Sequence, residues 1–489
     1  MKNNLLKNLK NYSNSDFYPF HMPGHKRNTD SGQIQSIYQY DITEIDDFDN
    51  LHQPEGIIDA AQKEAARLYH SEETYFLING STSGILSAIS AVSEDGAWLL
   101  VARNCHRSVY HAAFLNRLHL CYMNPELIPE YDMAGQIEIE SVRREIEHIL
   151  SEEDAKIAGV VITSPTYDGI SSDVKAIAEL VHSYHIPLIV DQAHGAHFGF
   201  HPAYPESATV QGADIVIHSV HKTLPAPTQT AIIHKNGDLV DSIKLQKYLR
   251  IYQSSSPSYV LMAGIEEALR IVEEEGYQKL QKVSEWHQAV CGVAGKLKYL
   301  KVCPLTEPGK VIISVKGAGI SGRQLYDIFR EKYHLQMEMA SGTYVTAILS
   351  MMDKEEGILR LIEAMKEIDA ELSQLPKADA TLPEKIEIGQ TDFLPQKGME
   401  LWEAYVAFCE EIQLESLPQR MKKGQLLAAE FVNLYPPGIP LLVPGEVIDE
   451  RVLQIIRQYL KNGYNVQGID NNKIKVVILP EEGENYEKN

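Results

Sequence analysis

Titratable residues that directly follow apolar runs are the places where this chain of 489 residues could do chemistry. In DIVIHSVHK, 214–222, the apolar run ends and Ser219, His221 and Lys222 follow at once, ahead of Pro225 and Pro227. A lysine at the carboxyl end of a buried strand stands at the mouth of an open α/β sheet. There its amine can form an imine with an aldehyde, provided it is held neutral when needed. Ser219 and His221 can donate hydrogen bonds to an anion beside it. A solvent-facing lysine has the same local sequence, so this segment decides nothing alone. Asp191 closes a second apolar run, PLIVD at 187–191. A carboxylate there can pair with a protonated pyridine nitrogen and keep the ring electron-withdrawing. It can equally ligate a metal or cap a helix. Two such strand ends together favour the cofactor pair.

FLINGSTSGIL, 76–86, supplies an anion site. Gly80 lets the backbone approach closely, and Ser81 and Thr82 offer hydroxyls and amides at a helix start, where unpaired N–H groups and the helix dipole attract phosphate. The segment lacks the Gly-Lys-[Ser/Thr] ending of a Walker loop and the GxGxxG of a dinucleotide site. His106, in VARNCHRSVY, can stack on a pyridine ring and take part in proton movement, or can simply begin a helix. In SPTYDG, Thr166, Tyr167 and Asp168 shape the same sheet edge or make a turn. FHMPGHKR, 20–27, brings a charged arm to the mouth of the site or forms a surface turn. HGAH, 194–197, is not HExxH, and no zinc set is visible, so no metal is expected.

The elements that position these residues follow from periodicity. WLLVA (98–102), IAGVVIT (157–163), PLIVD (187–191) and DIVIH (214–218) read as buried strands with amphipathic helices between them, notably over 173–185. PEGIIDAAQKEAARLYH puts Ile57, Ile58, Ala61, Ala65 and Leu68 on one helical side, with Pro54 near its start. The alternation predicts an α/β fold with a mostly parallel sheet covered on both faces. Further helices are expected over about 238–251, 258–275, 277–300, 321–333, 354–375 and 448–461, and strands at 310–315 and 473–480. Four units result: an arm over 1–30, bearing Leu5, Leu6 and Leu9; a large α/β domain over 31–250; a helical connection and small α/β domain over 251–375; and an α+β domain over 376–489. The boundary falls in SQLPKADATLPEKIEIGQ.

Composition narrows the function. Forty-five basic against 67 acidic residues give a formal charge of -22, which disfavours a nucleic-acid partner because phosphate binding needs a basic surface. The same field suits a small cationic substrate. An odd set of five cysteines without a Cys-x-x-Cys pair fits a reduced, cytoplasmic setting. No signal peptide and no apolar run of membrane-spanning length is present, so no membrane partner is expected.

In chain order, HMPGHKR, NGSTSG, NCHRS, SPTYDG, DQAHGAH, HSVHK and YPPGIPLLVPGE resemble the pyridoxal-phosphate-dependent ornithine/lysine/arginine decarboxylase family, over roughly 18–480. The resemblance implies a fold type I, PLP-dependent transferase-like large domain followed by smaller α+β C-terminal domains. It implies that Lys222 carries pyridoxal 5'-phosphate, that Asp191 contacts the pyridine nitrogen and that His106 stacks on the ring. Ser81, Thr82, Ser219 and His221 would surround the phosphate. Ser256, in SSSP (254–257), would reach the phosphate region of a partner subunit, giving a homodimer with shared active sites or a higher oligomer. Tyr167 and Glu446 would meet the substrate, Glu446 at its distal end. The chain resembles the shorter members, without the N-terminal wing domain of the long inducible enzymes. His194 stands where some long members carry tryptophan. The expected reaction is decarboxylation of a basic amino acid, arginine to agmatine ahead of lysine or ornithine on resemblance to short polyamine-producing members. An aminotransferase or aldolase on the same frame, and a catalytically silent binding protein, are the alternatives.

Overall fold

The apolar runs pair into one seven-stranded sheet in the computed structural model, which describes residue 16 and residues 18–20, 49–374, 395–434, 438–461 and 463–479. Its strands are β1 (Glu73–Leu77), β2 (Trp98–Ala102), β3 (His119–Met123), β4 (Ile157–Thr163), β5 (Leu188–Asp191), β6 (Ile215–His218) and β7 (Ala231–Lys235). They lie in the order β1-β7-β6-β5-β4-β2-β3. Every pairing from β6 to β3 is parallel, and β7 runs antiparallel to both of its neighbours. Both faces are covered, which is why these strands carry continuous rather than alternating apolar residues. Val160, Val161 and Ile162 of β4 are fully buried, each burial stabilising by roughly 1.5–3 kcal/mol.

The helix expected over 173–185 forms as Val174–Ser183, with the Asp173 carboxylate accepting the Ala176 N–H at its start. The first helix, Ile57–Tyr69, buries Ile58, Gln62, Ala65, Ala66 and Tyr69. Ile57, expected on that face, is the first residue of the helix and is exposed. The start of this helix is fixed from a distance rather than by Pro54. Asp49 accepts the N–H groups of Glu55, Gly56, Ile58 and Asp59 through its carboxylate.

The two helices expected over 258–275 and 277–300 are one helix of 36 residues, Tyr259–Ala294. Gly276 lies within it, and the apolar stripe continues from Val272 through Leu280 and Val283, so burial outweighs the helix-weakening glycine. A four-stranded antiparallel sheet follows, ordered Lys301–Val302, Lys310–Ser314, Tyr344–Ile348 and Met339–Ala340. Helices Gly322–Tyr333 and Glu355–Gln374 accompany it. Tyr18–Phe20 pairs in parallel with Leu335–Met337, tying the N-terminal part to this region.

Beyond residue 395, Cys409–Gln413, Lys473–Val477 and Ile469–Asp470 form one antiparallel sheet, and Val432–Leu434 pairs with Ile439–Leu442 and Val466–Gln467 in another. The helix Glu450–Lys461 packs Val452, Leu453 and Ile456 into their core. Leu401, Phe431 and Val443 join the core that contains Leu99 and Val101 of β2, so this part is packed on the large sheet. The expectations for Leu5, Leu6 and Leu9, for 21–27 and for most of the boundary at 373–390 lie outside the described residues.

Candidate active site

Lys222 and Asp191 project from neighbouring strands. Asp191 ends β5, opposite Ile217 of β6; β6 is followed by Ser219 and the short helix Val220–Thr223 that bears Lys222. Asp191 is almost fully buried and accepts the Ala193 N–H at 3.1 Å. Burial raises its pKa, while Lys222 and the Ala193 N–H pull it down. Burial lowers the pKa of Lys222 against the opposing pull of Asp191 and Glu338. The desolvated amine and the buried carboxylate thus act on each other by charge.

His106 is the N-cap of the helix Arg107–Leu115, which follows β2. Its Nδ1 accepts the Ser108 N–H at 3.2 Å, which leaves the ring proton on Nε2. Burial, and then the charge of Lys222, hold its pKa down at about 3. The ring is thus neutral and within the field of the lysine.

The NGSTSG turn starts the helix Gly80–Val92. Asn79 is its N-cap without a side-chain capping bond, and Gly80 has φ +73°. A Cβ on Gly80 would lie 3.9 Å from the carbonyl oxygen of Gln229, so this turn and the loop following Lys222 lie side by side. Ser81 is partly buried and Thr82 is exposed. Ser219 is fully buried and its Oγ has no hydrogen-bond partner, an orphaned donor between the lysine and its strand. Open helix N–H groups, free hydroxyls and an orphaned serine fit a phosphate. The His221 Nδ1–H donates to the Thr230 carbonyl at 2.8 Å, and burial takes its pKa down to about 4. Its Nε2 therefore donates to an anion only after gaining a proton.

Ser256 is exposed, in a loop whose Ser254 N–H donates to Asn79 Oδ1 at 3.0 Å. This brings SSSP to the NGSTSG turn of its own chain. Tyr167 joins the site: its hydroxyl donates to Glu338 at 2.5 Å and its ring meets His194 edge-on at 4.9 Å. Glu446 already has partners in its own chain. It is buried, bonded to Arg103 at 3.2 Å and to the Val443 N–H at 2.8 Å. A substrate guanidinium would have to displace Arg103 to reach it.

Lys310 and Glu338, which sequence reading did not assign to the site, reach it together with His194. His194 Nε2 lies 3.0 Å from Lys222 Nζ, and its Nδ1 lies 2.9 Å from Nζ of Lys310, a fully buried lysine at the start of Lys310–Ser314. Glu338 adds a carboxylate that acts on both lysines. The lysine of KVIISV gave no signal beyond standing at the head of a strand. Among the described residues, no group of three or more His, Cys, Asp or Glu side chains could hold a metal ion, and no helix is long and apolar enough to cross a membrane.

Residues 3–311 match the family described as Orn/Lys/Arg decarboxylase, major domain, and residues 389–468 match its C-terminal domain. An arginine decarboxylase of Bacillus subtilis is 30% identical over 98% of both chains. One of Bacillus anthracis is 31% identical over 95% of this chain and 94% of its own. A lysine decarboxylase structure from Francisella novicida superposes with a TM-score of 0.73 at 20% identity, covering 86% of this chain and 73% of that one. That likeness bears on the fold, which is the PLP-dependent fold type I.

Proposed function

The chain belongs to the Orn/Lys/Arg decarboxylase family and is an amino-acid decarboxylase; from that premise we propose that it converts arginine to agmatine and carbon dioxide, with pyridoxal 5'-phosphate held on Lys222. The observation that carries this is the desolvated Lys222 amine beside the buried Asp191 carboxylate on adjacent strand ends. Arginine is set ahead of lysine and ornithine because relatives of matching length are named arginine decarboxylases. When bound, pyridoxal phosphate supplies the electron sink for the bonding pair that the lost carboxylate leaves behind.

The chain's own residues do the rest. Asp191 keeps a pyridine nitrogen protonated; a cation there offsets the burial that now raises the carboxyl. His106, neutral and fixed by Ser108, packs against a cationic ring without like-charge repulsion. The amides at Gly80, Ser81 and Thr82 and the Ser219 hydroxyl hold the phosphate. His221 joins them by taking up a proton that the dianion draws onto Nε2. Tyr167 and Glu338 bound the side where a cationic substrate enters. Contact between Glu446 and the distal substrate group requires Arg103 to release it.

We further read the active protein as a cytoplasmic homodimer in which the Ser256 loop serves the partner's phosphate site. Ser256 is exposed and so open to a partner, while Ser254 ties the loop to Asn79 of its own chain. The division at about 30, 250 and 375 goes with it, the second unit holding the cofactor.

The test is a product assay of the cofactor-loaded protein with arginine, lysine and ornithine offered separately. Agmatine and carbon dioxide from arginine are expected. Cadaverine or putrescine as the main product would replace arginine, and a keto acid would replace decarboxylation by transamination. Lys222→Ala should lose the visible absorbance of lysine-bound cofactor; retention would mean another lysine carries it.

A further inference from the structure

His194 is hydrogen-bonded at both ring nitrogens to lysines, Nε2 to Lys222 at 3.0 Å and Nδ1 to Lys310 at 2.9 Å. A neutral imidazole carries one N–H, and that N–H can bond only to an amine with a lone pair. Burial, with a lysine on either side, keeps His194 from becoming imidazolium. Both contacts therefore require at least one of the two lysines to be uncharged. Exchange of the imidazole tautomer moves the proton between them: Lys222 Nζ gives a proton to Nε2 while Nδ1 gives one to Lys310 Nζ. The charge of the group is unchanged and no water is needed.

Lys310 is built to receive it. It is fully buried, and Glu307, Glu338 and Asp168 draw positive charge toward it while Lys222 repels it. Its ammonium position lies 5.2 Å from the centre of the Tyr167 ring. Glu307 is itself held by His197 at 3.1 Å and by the Gly309 N–H at 2.5 Å. Lys222 is faced by Asp191 and Glu338, and by the neutral rings of His106, His194 and His221. Burial leaves Lys310 with a pKa of about 8, suited to exchange near neutrality.

We propose that Lys310 is the positioning base of the site: through His194 it takes the proton that Lys222 must lose before its amine can add to the cofactor aldehyde. This rests on Lys222 being the cofactor lysine.

The full-length protein, stripped of cofactor, is mixed with pyridoxal phosphate, and the visible absorbance of the lysine-bound form is followed as a function of pH. In the parent protein the rate should rise to a plateau with a midpoint below the ordinary lysine value of about 10.4. Lys310→Met should move that midpoint up by about one unit, which is about tenfold slower loading below it, with the plateau rate kept. His194→Gln, which bonds but cannot exchange tautomers, should keep the parent midpoint and slow loading below it, which separates transfer through the ring from loss of a neighbouring charge; the double variant should load no more slowly than Lys310→Met. Lys310→Gln serves if the methionine variant does not fold, as judged by circular dichroism. An unchanged midpoint in Lys310→Met, or a His194→Gln protein that loads as fast as the parent, overturns the relay while leaving Lys222 in place. Absorbance surviving in Lys222→Ala overturns the reading beneath it instead.

Discussion

Two of the buried cations among the described residues, Arg103 and Lys310, are treated in opposite ways. Arg103 meets Glu446 at 3.2 Å and donates to the Pro440 and Leu441 carbonyls and the Tyr110 hydroxyl. A guanidinium keeps its proton under any such conditions, so the pair is a static joint between β2 and the C-terminal part. Lys310 instead meets an imidazole, with a second lysine behind it. Its carboxylates stand around it while the hydrogen bond goes to a neutral group that can pass a proton on. A buried charge matched by its counter-ion is architecture; one matched by a relay is poised for change. Burial alone distinguishes neither.

The comparison breaks most visibly at the static joint. Arg103→Ala or Glu446→Ala leaves one uncompensated buried charge and should lower stability by about 3–5 kcal/mol in urea unfolding. A loss under about 1 kcal/mol would mean that water reaches the pair. Next comes Lys310. Its folded pKa of about 8 lies below the unfolded value of about 10.4, so the unfolded chain binds more protons between those values and stability rises with pH there. Lys310→Met should be the more stable protein at neutral pH. Its advantage should shrink by about 1.4 kcal/mol for each pH unit across that window. Parallel stability curves for the two proteins would show that Lys310 is not a strained cation.

Gly169 tests the same side chain indirectly. It has φ +95°, and a Cβ there would lie 2.6 Å from Lys310 Cγ. Gly169→Ala should cost about 1–3 kcal/mol and also shift the pH midpoint of cofactor loading, because Lys310 must move. A stability loss with no such shift would separate the turn from the relay. The smallest effect belongs to an exposed control. Arg323 pairs with Asp327 at 3.1 Å on a helix surface, and Arg323→Ala should change stability by less than about 0.5 kcal/mol and loading not at all.

Much of this was written in the chain. β4 forms over the same residues as the apolar run, and the positions of Asp191, which ends such a run, and Lys222, four residues past one, could be read from the sequence. Residues that act from a distance were not. Asp49 caps a helix through a loop, and Lys310 is brought to the site by a strand of another sheet. Neither has a local pattern, since a lysine's burial depends on what folds over it. The bond between Glu446 and Arg103 has no local pattern either, because the two are far apart in sequence. The long helix was divided at Gly276 because local propensity says so, and its buried stripe overrides that preference.

The antiparallel course of β7 has one more effect. Parallel strands need long crossovers, which tolerate insertions, but the segment bearing Lys222 leaves β6 and returns on the adjacent β7, with Ile232 opposite His218. Lys222 is therefore mounted on a hairpin clamped at both feet. Lengthening or shortening that hairpin would swing the amine away from Asp191, so sequence length should drift freely in the crossovers and stay fixed between His218 and Ile232.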